Sequence, residues 1–265
     1  MMNLSKNISG SPVDYAEASI LAREVGGEML SRLDWVTLKP RVIVEAGCKT
    51  GWVSARLAER YPDAVIAAVD LSAPMLKWSQ QQKVPAVCLQ AEVNALPFQT
   101  ASVDLVCANL VLPWVADYQA ALKEWRRVLK PNGLLMLTAF GLDTLCEWRD
   151  MFFEEHLPNL WDMHDLGDGL AQQGFEEPVL DVSHYTMTYR EKEKFIHELR
   201  ATGMLVGAPD LRGLQAVHLS EGDVLSVTYE VAYAHAFAPA LRATGTSSAG
   251  VVSIPLSALR RQLNR

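Results

Sequence analysis

Arg41-Val-Ile-Val-Glu45-Ala-Gly47-Cys-Lys49-Thr-Gly51, followed by Ala64-Val-Ile-Ala-Ala-Val-Asp70, decides the fold. A short apolar run bounded by turn residues predicts a buried strand. The glycines behind it let backbone approach a ligand closely. Asp70 falls where a second strand ends, spaced to accept hydrogen bonds from ribose hydroxyls. Together the two stretches predict a nucleoside-binding α/β domain. A dinucleotide fold carries G-x-G-x-x-G, so that a pyrophosphate rests on the helix start. Here Val53 and Ser54 follow Trp52, so the third, helix-packing glycine is missing.

Working outward, strands are expected at 42–46, 65–70, 86–89, 103–108 and 134–139. Helices are expected at 16–33, 52–60 and 74–82. Tyr118, Ala121, Leu122, Trp125, Val128 and Leu129 repeat at the helical period. Pro131-Asn-Gly133 predicts a stop and turn. Five strands alternating with helices imply a parallel sheet covered on both faces. After Phe140 the rhythm changes. Helices are expected at 143–156, 165–173 and 191–202, and strands at 179–189 and 224–234. The last two strands close the sheet, with the helical insertion over its carboxyl edge. Residues 5–12 are polar, and 245–250 suggest a flexible turn.

The chain has 265 residues, 49% hydrophobic and 21% charged, enough for one large core. Its net charge of -7 argues against a general nucleic-acid binder. No apolar run approaches the roughly 20 residues that span a bilayer. The first ten residues lack the apolar stretch of a secretory signal, and Cys48, Cys88, Cys107 and Cys146 form no Cys-x-x-Cys pair. A cytoplasmic protein with free thiols is expected, and the sequence does not set its oligomeric state.

Several side chains are candidates for chemistry. Glu92 follows the third strand and could accept from an adenine amino group; a solvated loop carboxylate is the plain alternative. Asn109 ends the fourth strand, at the edge where open α/β sheets bind ligands. His164 and Asp168, four apart, invite a metal, but Asp162 or Asp165 as a helix cap explains that cluster better. No metal site is expected. No nucleophile elbow or acid–base pair stands out.

Glu45, Gly47 and Gly51 resemble motif I of the class I S-adenosylmethionine (SAM) methyltransferases, with Lys49 in place of its middle glycine. Ala91-Glu-Val-Asn-Ala-Leu-Pro-Phe98, Asn109-Leu-Val-Leu-Pro-Trp114, Ala139-Phe-Gly-Leu-Asp-Thr-Leu145, Met163-His-Asp-Leu-Gly-Asp168 and Val227-Thr-Tyr-Glu-Val-Ala-Tyr-Ala-His235 follow in order. From Tyr15 to Pro239 this succession resembles the malonyl-[acyl-carrier protein] O-methyltransferases of biotin synthesis. The resemblance implies a Rossmann-like fold of seven mostly parallel strands, with helices on both faces and a helical insertion after the fifth strand. It implies one domain over 1–265, with an N-terminal helical lid at 1–34, the insertion at 141–174 and a tail at 243–265.

The resemblance implies SAM as cofactor, held by Glu45, Gly47, Lys49, Gly51, Asp70, Leu71, Glu92, Val93 and Asn109. Arg149, Arg190, Arg200 and Arg212 are the candidates for the acceptor's carboxylate or the carrier phosphate. The implied partner is malonyl-acyl carrier protein. A carboxylate acceptor is ionised at neutral pH, so no catalytic acid or base is required. Two departures accompany Lys49. The family's Phe-x-Arg-Ala-Ala segment is not recognisable before Tyr15, and its arginine-rich stretch is reduced to Gly207-Ala-Pro-Asp-Leu-Arg-Gly213. Two other possibilities share the fold: a catalytically silent, partner-binding paralogue, and an enzyme resembling the mitochondrial complex I assembly proteins linked to arginine hydroxylation.

Overall fold

Short apolar runs of Val, Ile and Ala pair side by side into a seven-stranded sheet. The computed structural model describes residues 11–151, 157–205 and 222–240. The strands are β1 (Val42–Ala46), β2 (Val65–Asp70), β3 (Val87–Gln90), β4 (Val103–Asn109), β5 (Leu129–Phe140), β6 (Glu176–Tyr189) and β7 (Leu225–Phe237). Their order is β3-β2-β1-β4-β5-β7-β6. β1 to β5 are parallel, and β7 runs antiparallel to both of its neighbours. Strand order therefore progresses outward from β1, to β3 on one side and then through β4 to β5 on the other. The crevice at that switch point lies beyond the carboxyl ends of β1 and β4, where such sheets bind ligands.

Two apolar layers sandwich the sheet. On one face α2 (Ile20–Ser31), α3 (Trp52–Arg60) and α7 (Lys192–Ala201) bury Val25, Leu57, Phe195 and Leu199 against β1, β4 and β5. On the other, α5 (Tyr118–Val128) and α6 (Met163–Gln172) bury Trp125, Leu166 and Leu170. Trp125 is fully buried, and its indole N–H donates to the Val93 carbonyl at 2.9 Å. A core Trp of this kind is worth about 3–5 kcal/mol against alanine, and here it also ties α5 to the segment after β3. α4 (Ala73–Gln81) follows β2, with Ser72 as N-cap and Pro74 in its first turn.

The structure departs from the sequence pattern in three places. The expected 16–33 helix is two helices, α1 (Pro12–Ala18) and α2, broken at Ser19, and a 3-10 turn ends it at Trp35. Residues 142–148 are turns and Arg149–Met151 one 3-10 turn, where a helix over 143–156 was expected. The cause is tertiary: Leu145 N–H, the Thr144 hydroxyl and the Trp148 indole all donate to carbonyls of β7, which holds the segment as turns against that strand. Finally, Pro131-Asn-Gly133 bulges within β5 rather than stopping before it, with Asn132 at φ 59°. Of the expected insertion at 141–174, α6 packs on the face of the sheet beside β6, and the 142–151 turns sit beyond the end of β5. Residues 5–10, 152–156, the Gly207–Gly213 stretch with Arg212, and the tail at 243–265 lie outside the described residues. No described helix is long and apolar enough to cross a membrane.

Candidate functional site

The loop after β1 is shaped by two left-handed glycines and a left-handed lysine. Gly47 lies at φ 74°, Lys49 at φ 50° and Gly51 at φ 81°. A Cβ on Gly47 would fall 2.6 Å from the Val111 side chain, and one on Gly51 would fall 2.4 Å from Ser79 Oγ. Both positions thus exclude side chains by space as well as by conformation. The loop is pinned to β2, because the amides of Gly47 and Cys48 both donate to the Val69 carbonyl, at 2.8 and 2.9 Å.

Asp70, at the end of β2, organises the loop. Its Oδ2 accepts from the Lys49 amide at 2.8 Å, and its Oδ1 accepts from the Ser72 amide, also at 2.8 Å. The residue is only 6% exposed. A carboxylate has about four acceptor positions, so both oxygens keep capacity toward a ligand. Glu45 has a different place. Its Oε2 accepts from the Ser54 hydroxyl, which staples β1 to α3. Burial raises its carboxyl from 4.5 to about 7, opposed by the Ser54 hydrogen bonds and by Lys49.

A cavity of about 230 Å³ opens against this loop, lined by Gly47, Lys49, Asp70, Leu71, Glu92 and Val93, and also by Asn94, Trp114 and Asp117. Six of the sequence-derived candidates thus meet on one cavity. Glu92 is exposed at its rim. Asn94 Oδ1 is buried and has no hydrogen-bond partner, an acceptor awaiting a donor. Gly51 shapes the loop from behind α4 and does not line this cavity. Asn109 is also elsewhere: its amide donates to Ala22 O at 2.8 Å and its Oδ1 accepts from Thr138 Oγ1 at 2.8 Å. It ties α2 to the sheet and lines a smaller cavity of about 30 Å³, together with Glu45.

A second small cavity, also about 30 Å³, lies between α1, α7 and the end of β5. Tyr15, Trp114, Phe140, Glu198, Thr202 and Tyr229 line it, along with Lys49. Lys49 and Trp114 belong to both this cavity and the large one. Lys49 is 8% exposed, and burial lowers its ammonium pKa against the pull of Asp70 and Glu45. Tyr15, Asn94, Trp114 and Glu198 carry no local chemical signature, and only the folded chain brings them together. Ser72 and Asp117 are helix caps, which the residue type just ahead of an expected helix could have revealed.

The three candidate arginines among the described residues do not converge here. Arg149 donates to the carbonyls of Leu142 and Thr144, holding the turn after β5. Arg190 and Arg200 are exposed, and neither lines any of the three cavities. Asp162 caps α6 by accepting from the His164 amide at 2.7 Å, and its Oδ1 lies 3.0 Å from His164 Nδ1. Among the described residues, Asp143, His184 and Glu230 have ligand atoms within 4.8 Å of one another. Asp143 and His184 are exposed and Glu230 is half-buried, and Glu230 already accepts from the Asp143 amide at 2.6 Å.

Comparison with known proteins is consistent with this geometry. Residues 44–137 match the family described as "Methyltransferase domain". A malonyl-[acyl-carrier protein] O-methyltransferase of Gallionella capsiferriformans is 39% identical over 253 residues, covering 86% of this chain and 87% of the relative. The Coxiella burnetii malonyl-[acyl-carrier protein] O-methyltransferase 1 is 31% identical, covering 98% of this chain and 95% of the relative. A crystal structure of a putative methyltransferase from Bacillus halodurans aligns with a TM-score of 0.59 at 18% identity, over 80% of this chain and 99% of that one. Haemonchus contortus phosphoethanolamine N-methyltransferase 2, solved in complex with SAM, aligns at 0.51 and 16% identity, over 80% of this chain and 52% of that one. The structural likenesses extend the shared fold, and the sequence identities carry the assignment: this chain belongs to the malonyl-[acyl-carrier protein] O-methyltransferase family.

Proposed function

We propose that the protein transfers the methyl group of SAM to the free carboxylate of a malonyl thioester on acyl carrier protein, an early step of biotin synthesis. The observation that carries this is the pair of cavities meeting at Lys49 and Trp114, one bounded by Asp70 and the glycine loop, the other roofed by α1 and α7. The residues fit a nucleoside. Gly47 lines the cavity with bare backbone at a position where Val111 leaves no room for a Cβ, Asp70 offers free acceptor capacity to a ribose, and Asn94 Oδ1 is an orphaned acceptor. Leu71 and Val93 supply apolar walls for a base, with Glu92 at the rim. Glu45 and Gly51 shape the loop, and Asn109 anchors α2 behind it.

When bound, SAM supplies a methyl group made electrophilic by its sulfonium. The chain's own contribution is placement. An ionised carboxylate attacks without a base, so alignment and exclusion of water do the catalytic work. Tyr15 of α1 and Trp114 are buried at the junction, which gives the N-terminal helices the role of a lid. Family membership favours methyl transfer over the silent-paralogue and hydroxylase alternatives.

The test has two parts. Calorimetry with S-adenosylhomocysteine (SAH) should show one site per chain. Labelled SAM should then label malonyl-acyl carrier protein as an ester and leave acetyl-acyl carrier protein unlabelled. SAH binding without label transfer would refute the acceptor, and no SAH binding would refute the methyltransferase activity.

A further inference from the structure

We propose that Lys49 holds the acceptor's carboxylate, in place of the arginines to which the sequence pattern points; this rests on the methyl-transfer assignment above. The left-handed backbone at Lys49 sends its side chain into the protein rather than to solvent. Its Nζ lies 5.9 Å from the centroid of the Tyr15 ring. Among the described residues it has no carboxylate within ion-pair distance; Asp70 and Glu45 act on it from further away. A buried ammonium without an ion-pair partner is costly. An anion brought into the cavity would relieve that cost, and a neutral acyl group would not.

The geometry points to the acceptor as that anion. Lys49 lines the cavity between α1 and α7, and no other lysine or arginine does among the described residues. Glu198 lies in the same wall set, on α7. The cavity wall thereby holds two ionisable side chains, a cation from the glycine loop and a carboxyl from α7. The carboxylate end of a malonyl group would reach Lys49 where this small cavity meets the cofactor cavity.

The charge balance follows. The carboxylate oxygen forms the new O–CH₃ bond as the S–CH₃ bond breaks, and that bond's electron pair returns to sulfur. No proton moves in this step. The ester product is neutral, so the ion pair is lost on methylation and product release is favoured. Because the pair is made with the substrate and weakens in the transition state, its effect belongs in KM.

The experiment uses the full chain with Lys49→Met, and with Lys49→Asn as a second uncharged variant that tolerates a left-handed backbone. Lys49→Arg is the charge-conserving control. KM for malonyl-acyl carrier protein and the Kd for SAH are measured on each. In the uncharged variants KM should rise by about ten- to a hundredfold, the range of a charge-assisted hydrogen bond. SAH affinity should not weaken, and Lys49→Arg should recover part of the KM. A KM within twofold of wild type overturns the inference and leaves the methyl-transfer assignment standing. A tenfold weaker SAH affinity overturns it too, making Lys49 a cofactor ligand. A wild-type protein that binds SAH yet methylates no malonyl thioester overturns both.

Discussion

Replacing Asp70 by alanine should cost the folded state about 2–4 kcal/mol before any ligand is considered. Two amides depend on the carboxylate, those of Lys49 and Ser72, each at 2.8 Å. The Lys49 amide is in a buried residue, so leaving it unpaired costs about 1–3 kcal/mol. Ser72 is half-exposed; water can replace its partner, and its loss is about 1 kcal/mol. Alanine also removes the larger of the two anionic influences that oppose the burial of the Lys49 ammonium. Asp70→Asn separates folding from binding. Its amide oxygen still accepts from one of the two donors, so it should lose about half as much. If the remaining acceptor capacity serves ribose hydroxyls, SAH affinity should fall at least about tenfold in both variants. Denaturant titration reads the first effect, and calorimetry on the folded Asn variant reads the second. An alanine variant within about 0.5 kcal/mol of wild type would show that the two amides do not need the carboxylate. Unchanged SAH affinity in folded Asp70→Asn would remove Asp70 from the ligand site.

Lys49→Gly should both stabilise the chain and tighten the cofactor. Relief of left-handed strain is worth about 1–2 kcal/mol, offset by about 0.5–1 kcal/mol of glycine backbone entropy, while losing a buried ammonium adds to the gain. The strain is present with and without cofactor, so it appears in denaturation midpoints; clearing the shared wall of the cavities should appear as five- to thirtyfold tighter SAM, about 1–2 kcal/mol. Glu45→Gln should flatten the stability profile against pH. The folded Glu45 carboxyl, at about 7, stands above its ordinary 4.5, so the native state holds a proton that the unfolded chain has released. Its stabilising contribution is complete below 4.5 and is lost as pH rises through about 7, a loss of about 3 kcal/mol. Glutamine keeps an acceptor for Ser54 without that loss, and parallel wild-type and variant profiles from pH 4 to 9 would contradict the assignment of a buried, protonated Glu45.

The alternation of strand and helix was legible along the chain because each element carries its own period and punctuation. Gly47 and Gly51 announced a loop whose backbone no side chain could follow, and Asp70 stood at the end of the strand beside it. The break of the first helix at Ser19 and the loss of helix after Asp143 were not legible. Both depend on partners distant in sequence: α1 packs on α7, and the 142–148 turns are held by β7.

The site divides in the same way. Gly47, Asp70 and Glu92 were readable because consecutive turns at one sheet edge place them there, whatever the rest of the chain does, and Leu71 and Val93 followed from the family resemblance. Family membership was readable from the order of the motifs. Tyr15, Trp114, Glu198 and Tyr229 come from four separate elements, and nothing local marks them as neighbours. The roles of the cations depended on the fold. Sequence favoured the arginines for their bidentate chemistry, yet Arg149 is used by turn carbonyls and Arg190 and Arg200 face outward. Lys49 looked like a flaw in a glycine loop. Only packing, which buries its ammonium between two cavities without an ion-pair partner among the described residues, made it a candidate for the substrate's charge. Local pattern sets backbone conformation, whereas the cost of a buried charge is set by what tertiary structure places around it.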